Sequence, residues 1–162
     1  MNKGITLLEV LVIVIVIAIL AALVVPPICG KGRVQRAMCE NNLKHLHTLA
    51  NIYSSQNRGF EPIETGQTYW LRLSKVHPPL IKREDLDLFL CPVKGDSNDG
   101  EVDYRGPVTR LAIVADGDPI GADKLDNHGA YEGGNVLLRS GAVLLVERNT
   151  PLWAQCREKL SP

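Results

Sequence analysis

The chain has 162 residues, four cysteines, and 18 basic against 18 acidic side chains, for a formal net charge of zero. That balance removes any electrostatic case for a nucleic-acid partner. With an apolar stretch near the start set aside, the remainder is enough for one modest globular core and not for two.

In chain order, Lys3, Gly4, Ile5, Thr6, Leu7, Leu8 and Glu9 lead into an unbroken apolar run from Val10 to Val25, closed by Pro26 and Pro27. Ile5 to Val25 is 21 residues, with Thr6 the only neutral polar side chain and Glu9 the only charge. At about 1.5 Å per residue, a helix of that length just crosses a hydrocarbon layer of about 30 Å. A carboxylate at that depth costs on the order of 2.5–3.5 kcal/mol and needs a counter-charge. No Lys or Arg lies on the run, so this reading looks for the counter-charge on another molecule. A secretory signal peptide would share the basic start and small residues such as Ala18, Ala21 and Ala22, but it has no use for Glu9. A plain single-span anchor accounts for the length and not for the acid.

This junction resembles the cleavage and methylation segment of the type IV pilin and type II secretion pseudopilin superfamily. The resemblance implies that a prepilin peptidase cuts after Gly4 and that the new amine, on Ile5, is methylated. It also implies that the Ile5 amine of one subunit meets Glu9 of a subunit already assembled. The family usually carries Phe where Ile5 stands here. Lys31, Arg33 and Arg36 follow the run and only Lys3 precedes it, so the positive-inside tendency opposes the orientation the leader requires. The leader is the more specific signal and is followed here.

Beyond Pro26, Pro27, Gly30 and Gly32 a second helical pattern begins. Cys39, Leu43, Leu46, Ala50 and Tyr53 recur at spacings of four and three, the stripe of an amphipathic helix. The two prolines and two glycines between the patterns predict a kink or a locally melted stretch. His45 and His47 point apart on a helix and read as surface or edge residues.

Cys29, Cys39, Cys91 and Cys156 form no Cys-x-x-Cys motif. Four cysteines allow three pairings, and spacing does not choose among them; Cys39 with Cys91 is one candidate disulfide. Cys29, just past the expected bilayer, is open to an intermolecular bond or a free thiol.

The rest of the chain resembles a pilin-like group abundant in planctomycetes and their relatives. The matching elements are Cys39 to Lys44, then Tyr53, then Gly59-Phe60-Glu61-Pro62, Leu88 to Pro92, Tyr104 to Pro107, and His128-Gly129 followed by Gly134 to Val143. Ser140 stands where that group usually has Asp.

In the head, Thr68 to Leu73 fits a short helix or a strand, with the helix preferred, and Leu111 to Ala115 a short strand ending at the turn Asp116-Gly117-Asp118-Pro119. Asn135–Arg139 and Ala142–Glu147 flank Ser140-Gly141, the signature of a tight hairpin. Leu137 and Leu144 are expected to face the helix stripe. Thr150 and Pro151 open a last helix as cap and first residue, with Trp153, Cys156 and Leu160 packing it down.

Asp96, Asn98 and Asp99 followed by Asp103, and separately Asp116 and Asp118 in an acidic loop with Asp123 and Asp126, offer oxygen ligands of the kind calcium prefers. Neither segment has the EF-hand pattern, and solvated turns account for them as well. Asn127, His128 and Gly129 read as a loop held by hydrogen bonds. No phosphate loop, Gly-x-Ser-x-Gly or Cys–His nucleophile pattern occurs, so no enzymatic activity is expected.

The expectation is therefore an α+β fold, with one long N-terminal helix, transmembrane in its first half, packed on a small antiparallel sheet. The boundaries are a leader over 1–4, the membrane half over 5–25, the outer half over 26–58 and a head over 59–162. The resemblance implies a filament subunit anchored by a single pass in the inner membrane, with its head outside the cytoplasm. Its partners would be identical or related pilin-like subunits, a prepilin peptidase and an assembly platform, with no cofactor beyond a structural calcium. The competing reading is a monomeric, membrane-anchored binding domain.

Overall fold

The computed structural model describes residues 7–94, 102–125, 127–128 and 133–162; over 21–31 it describes the backbone alone. The chain divides into two units, Met1–Val34 and Gln35–Pro162. That division falls inside the expected outer half of the helix, because residues from Gln35 onward pack with the head.

The first unit is helical from Leu7, within a helix (α1) assigned over Leu7–Gln56. The side chains from Leu7 to Leu20 are exposed without exception. Among the described residues, no helix is long and apolar enough to cross a membrane. The backbone stays helical through Pro26, Pro27, Gly30 and Gly32, so the melted stretch expected there is not found. Each proline deletes one N–H donor, but propagating a helix that already exists on both sides is far cheaper than nucleating a new one.

In the second unit, five strands form one antiparallel sheet in the order β4-β3-β2-β1-β5. They are β1 (Tyr104–Pro107), β2 (Pro119–Asp123), β3 (Gly134–Leu138), β4 (Val143–Val146) and β5 (Leu160–Ser161). Helix α2 (Gln67–Lys75) and a 3₁₀ segment over Arg83–Phe89 precede the sheet, and α3 (Pro151–Lys159) lies between β4 and β5. The antiparallel α+β expectation is met, as are the short helix at Thr68–Leu73 and the hairpin around Ser140-Gly141.

The sheet divides two cores by strand alternation. On one face Tyr104, Ile120 and Leu137 meet the α1 stripe of Cys39, Leu43, Leu46, Ala50 and Tyr53, joined by Tyr69, Trp70 and Leu73 of α2. On the other, Ala122, Val136 and Val146 meet Trp153, Cys156 and Leu160. Ile120 and Ala122 would share a face in a regular strand. A register shift between Pro119 and Gly121 turns Ile120 towards α1 and leaves Ala122 towards α3. Thr150 caps α3 by accepting from the Trp153 N–H at 3.4 Å, with Pro151 at the first helical position.

Two strand expectations fail for identifiable reasons. Leu111–Ile113 is a 3₁₀ turn, since only Leu111 finds the core and Ile113 is 80 % exposed. Leu144 is exposed, and Val143, paired with Leu137, packs against the helix-side core instead.

Close approach of backbones explains one glycine. A Cβ on Gly106 would lie 1.9 Å from the Gly66 carbonyl oxygen, where the Gly66 N–H donates to Pro107 O at 2.9 Å. Nothing flexible can yield there. Gly106→Ala is expected to lower stability by about 3 kcal/mol, seen as a urea midpoint lower by about 1–2 M at unchanged slope.

Candidate functional site

The residues singled out in the sequence fall in three places. Gly4 and Ile5 lie outside the described residues, and so do Asp96, Asn98, Asp99, Asp126 and Gly129. Glu9 lies in the first turn of α1, exposed among the exposed apolar side chains of the first unit. Cys39 and Cys91 meet in the core of the second unit and form a disulfide, with their Cα atoms 5.4 Å apart.

Of the two described calcium candidates in the acidic turn, Asp118 binds a lysine and Asp116 contributes its backbone oxygen. Asp118 takes the Lys159 ammonium at 2.7 Å, and that hydrogen bond is the main reason its carboxyl titrates below the usual range. Its backbone oxygen accepts from the Arg139 N–H, and that of Asp116 from the Ser140 N–H. The loop therefore buttresses the hairpin end. Asp123, read as a member of that acidic loop, is instead a fully buried strand residue on the α1 side of the sheet.

Around the disulfide the chain builds a buried polar junction. Asp123 Oδ2 accepts from the Asn135 N–H at 2.7 Å and lies 2.7 Å from His128 Nε2. The same His128 nitrogen stands 3.8 Å from Cys91 Sγ. Asp103, also fully buried, accepts from the Cys91 N–H at 2.9 Å and from the Lys94 ammonium at 3.0 Å. The Asn127 side chain donates to the Asp103 carbonyl at 2.7 Å, which is the loop-holding role expected of it. Among the described residues, two atoms stay unmatched: Asp123 Oδ1 and His128 Nδ1 are buried without a hydrogen-bond partner.

Helix α1 is tied to this junction by its own polar side chains. The Gln35 amide donates to Pro92 O at 3.1 Å and the Asn42 amide to Leu90 O at 3.1 Å, while Asn135 donates back to Arg36 O at 3.3 Å. Tyr104 also donates to Leu90 O, at 3.2 Å. Burial first, then the Asp123 charge, holds its hydroxyl in the neutral form that donates. His45 is exposed and His47 half-buried, in keeping with edge positions; desolvation lowers the His47 pKa.

Sequence reasoning did not find Asp103, Asp123 or Asn135 as a set. The signal for Asp123 and Asn135 is polarity inside buried strands, and Asp103 stands just ahead of β1. Nothing local says that three segments so far apart converge.

Cys156, the free cysteine of the opposite core, is inert by the same physics. Burial pushes its thiol up to about 11, against the pull of the Arg105 guanidinium. Alkylation of native Cys156 at pH 8 should run on the order of a hundred-fold slower than in denaturant, measured by mass spectrometry. An equal rate in both states would mean the second core is open.

Compared with models of protein families, with curated proteins and with solved structures, the chain matches none.

Proposed function

We propose that this chain is a structural subunit of a pilus-like filament or of a type II secretion-like pseudopilus, matured after Gly4 and assembled through α1. The observation that carries the reading is the helix beginning at Leu7, whose described apolar side chains, through Leu20, are exposed without exception. In a filament, neighbouring helices would cover that surface; before assembly, lipid would. On this reading Glu9, in the first turn of α1, would take the amine of a neighbour's Ile5 once cleavage has exposed it. Each charge alone is costly in an apolar medium, and together they neutralise.

Two further features support the proposal. A disulfide in the core of the second unit suits an oxidising compartment outside the cytoplasm. The stripe of α1 from Cys39 to Tyr53 belongs to the head's core, the role a pilin-like fold would give that half of the helix. The role is assembly rather than catalysis. The partners are further pilin-like subunits, a prepilin peptidase and a membrane assembly platform.

The deciding experiment is mass spectrometry of the N-terminus of the native chain extracted from membranes. The expected mature chain starts at methylated Ile5. A working chain that keeps residues 1–4 would defeat the proposal and leave the anchored binding domain as the better reading.

A further inference from the structure

Four metal-binding side chains from three separate segments converge in the second unit. They are Cys39 of α1, Cys91 after the 3₁₀ segment, and Asp123 of β2 with His128 just beyond it. One ligand atom from each lies within 4.8 Å of all the others, and all four residues are buried. With the disulfide closed, the sulfurs satisfy each other. Among the described residues, Asp123 Oδ1 and His128 Nδ1, on residues whose side chains are at most 2 % exposed, have no hydrogen-bond partner.

The frame around the four does not depend on the S–S bond. The Cys91 backbone is held by Asp103, the Asp123 carboxylate by the Asn135 N–H, and Cys39 by the buried stripe to which it belongs. Opening the disulfide therefore leaves two thiols facing a carboxylate and an imidazole. We propose that the dithiol form is a binding site for a zinc-class divalent cation, with Cys39, Cys91, Asp123 and His128 as ligands, so that disulfide and metal are alternative occupants of one cluster.

The chemistry of the donors selects the metal. Two sulfurs and an imidazole suit a borderline-soft tetrahedral ion and reject calcium and magnesium, which take oxygen. With bonds of about 2.0–2.3 Å, ligand atoms around a tetrahedral zinc stand about 3.3–3.8 Å apart, so the cluster needs to contract by only about 1 Å. The two sulfurs, and Asp123 Oδ2 with His128 Nε2 at 2.7 Å, must move apart to reach the same spacing, which rotation of those side chains supplies.

The balance is explicit. A phosphine with one water supplies two electrons, the oxygen of the departing phosphine oxide and the two thiol protons, or a dithiol supplies two electrons and two protons and leaves as a disulfide, while Cys39 and Cys91 become thiols. Metal entry then displaces one proton from each thiol, and His128 carries its remaining proton on Nδ1 while Nε2 binds the metal. The inference is independent of filament assembly, because it concerns the head alone.

The test uses the full chain in detergent micelles, with Cys29→Ser and Cys156→Ala leaving only the two cysteines in question. After phosphine reduction and removal of the reductant, cobalt(II) is titrated in. The expected result is a 1:1 complex with visible bands of tetrahedral cobalt and near-ultraviolet thiolate charge transfer, displaced by zinc with release of about two protons per metal bound to the apo dithiol. The oxidised chain should show none of this. His128→Ala and Asp123→Ala, made separately, should each weaken binding at least about ten-fold. Absence of the spectrum in the reduced chain would overturn the proposal, and so would equal binding by the oxidised chain or by the His128→Ala chain. A reduced chain that unfolds and is not refolded by the metal, followed by circular dichroism, overturns it as well.

Discussion

If the chain assembles as proposed, Glu9→Leu should abolish filament formation while leaving the chain in the membrane with a folded head. The substitution removes the one charge from the run between Ile5 and Val25, which makes membrane insertion easier by about 2.5–3.5 kcal/mol on insertion scales. The loss appears only where a neighbour's amine has to be received. An amine left unpaired in an apolar filament interior costs about 3–5 kcal/mol, repeated at every subunit contact. At about 1.4 kcal/mol per ten-fold, the assembly constant per subunit drops at least a hundred-fold. Filament yield after shearing, set against the membrane-bound pool, measures it. Assembly of the Glu9→Leu chain at normal yield would remove the main support for a filament subunit, while normal disulfide formation in the head would show that the defect is confined to assembly.

Removing the disulfide should produce the largest loss of stability in the second unit. Cys39 and Cys91 are 52 positions apart, and the chain-entropy relation for a loop of that size gives about 4 kcal/mol. The double change Cys39→Ser with Cys91→Ser leaves no lone thiol behind and is the cleaner variant. It should melt about 10–15 °C lower, at about 2–4 °C per kcal/mol for a domain of this size. Scanning calorimetry of the full chain in detergent, without reductant, reads the shift. A change under 2 °C would mean that Gln35, Asn42, Asn135 and the apolar stripe hold α1 to the head unaided.

Much of this architecture is legible in the residues because it is periodic or punctuated. The α1 stripe is a 3.6-residue pattern, the hairpin at Ser140-Gly141 lies between two apolar runs, and the Thr150-Pro151 start of α3 is a cap followed by a proline. Each signal sits within a few residues of chain, where backbone geometry and local hydrogen bonding act. Leu111 to Ala115 misled for the complementary reason. A short apolar run suits a strand, but of Leu111–Ile113 only Leu111 reaches the core and Ile113 faces solvent.

What the amino-acid order by itself determines is the apolar run with its one acid, the amphipathic continuation and the antiparallel head. What only the tertiary structure decided is which cysteines pair and which carboxylates are buried. Asp118 stands in an acidic turn and ends on Lys159; Asp123, five residues on, is enclosed with His128 beside the disulfide. The physical reason is that burial and proximity are properties of the packed chain. Asp123 lies 32 residues from Cys91 and 84 from Cys39, and only the closing of the sheet against α1 puts their side chains within a few ångströms of one another.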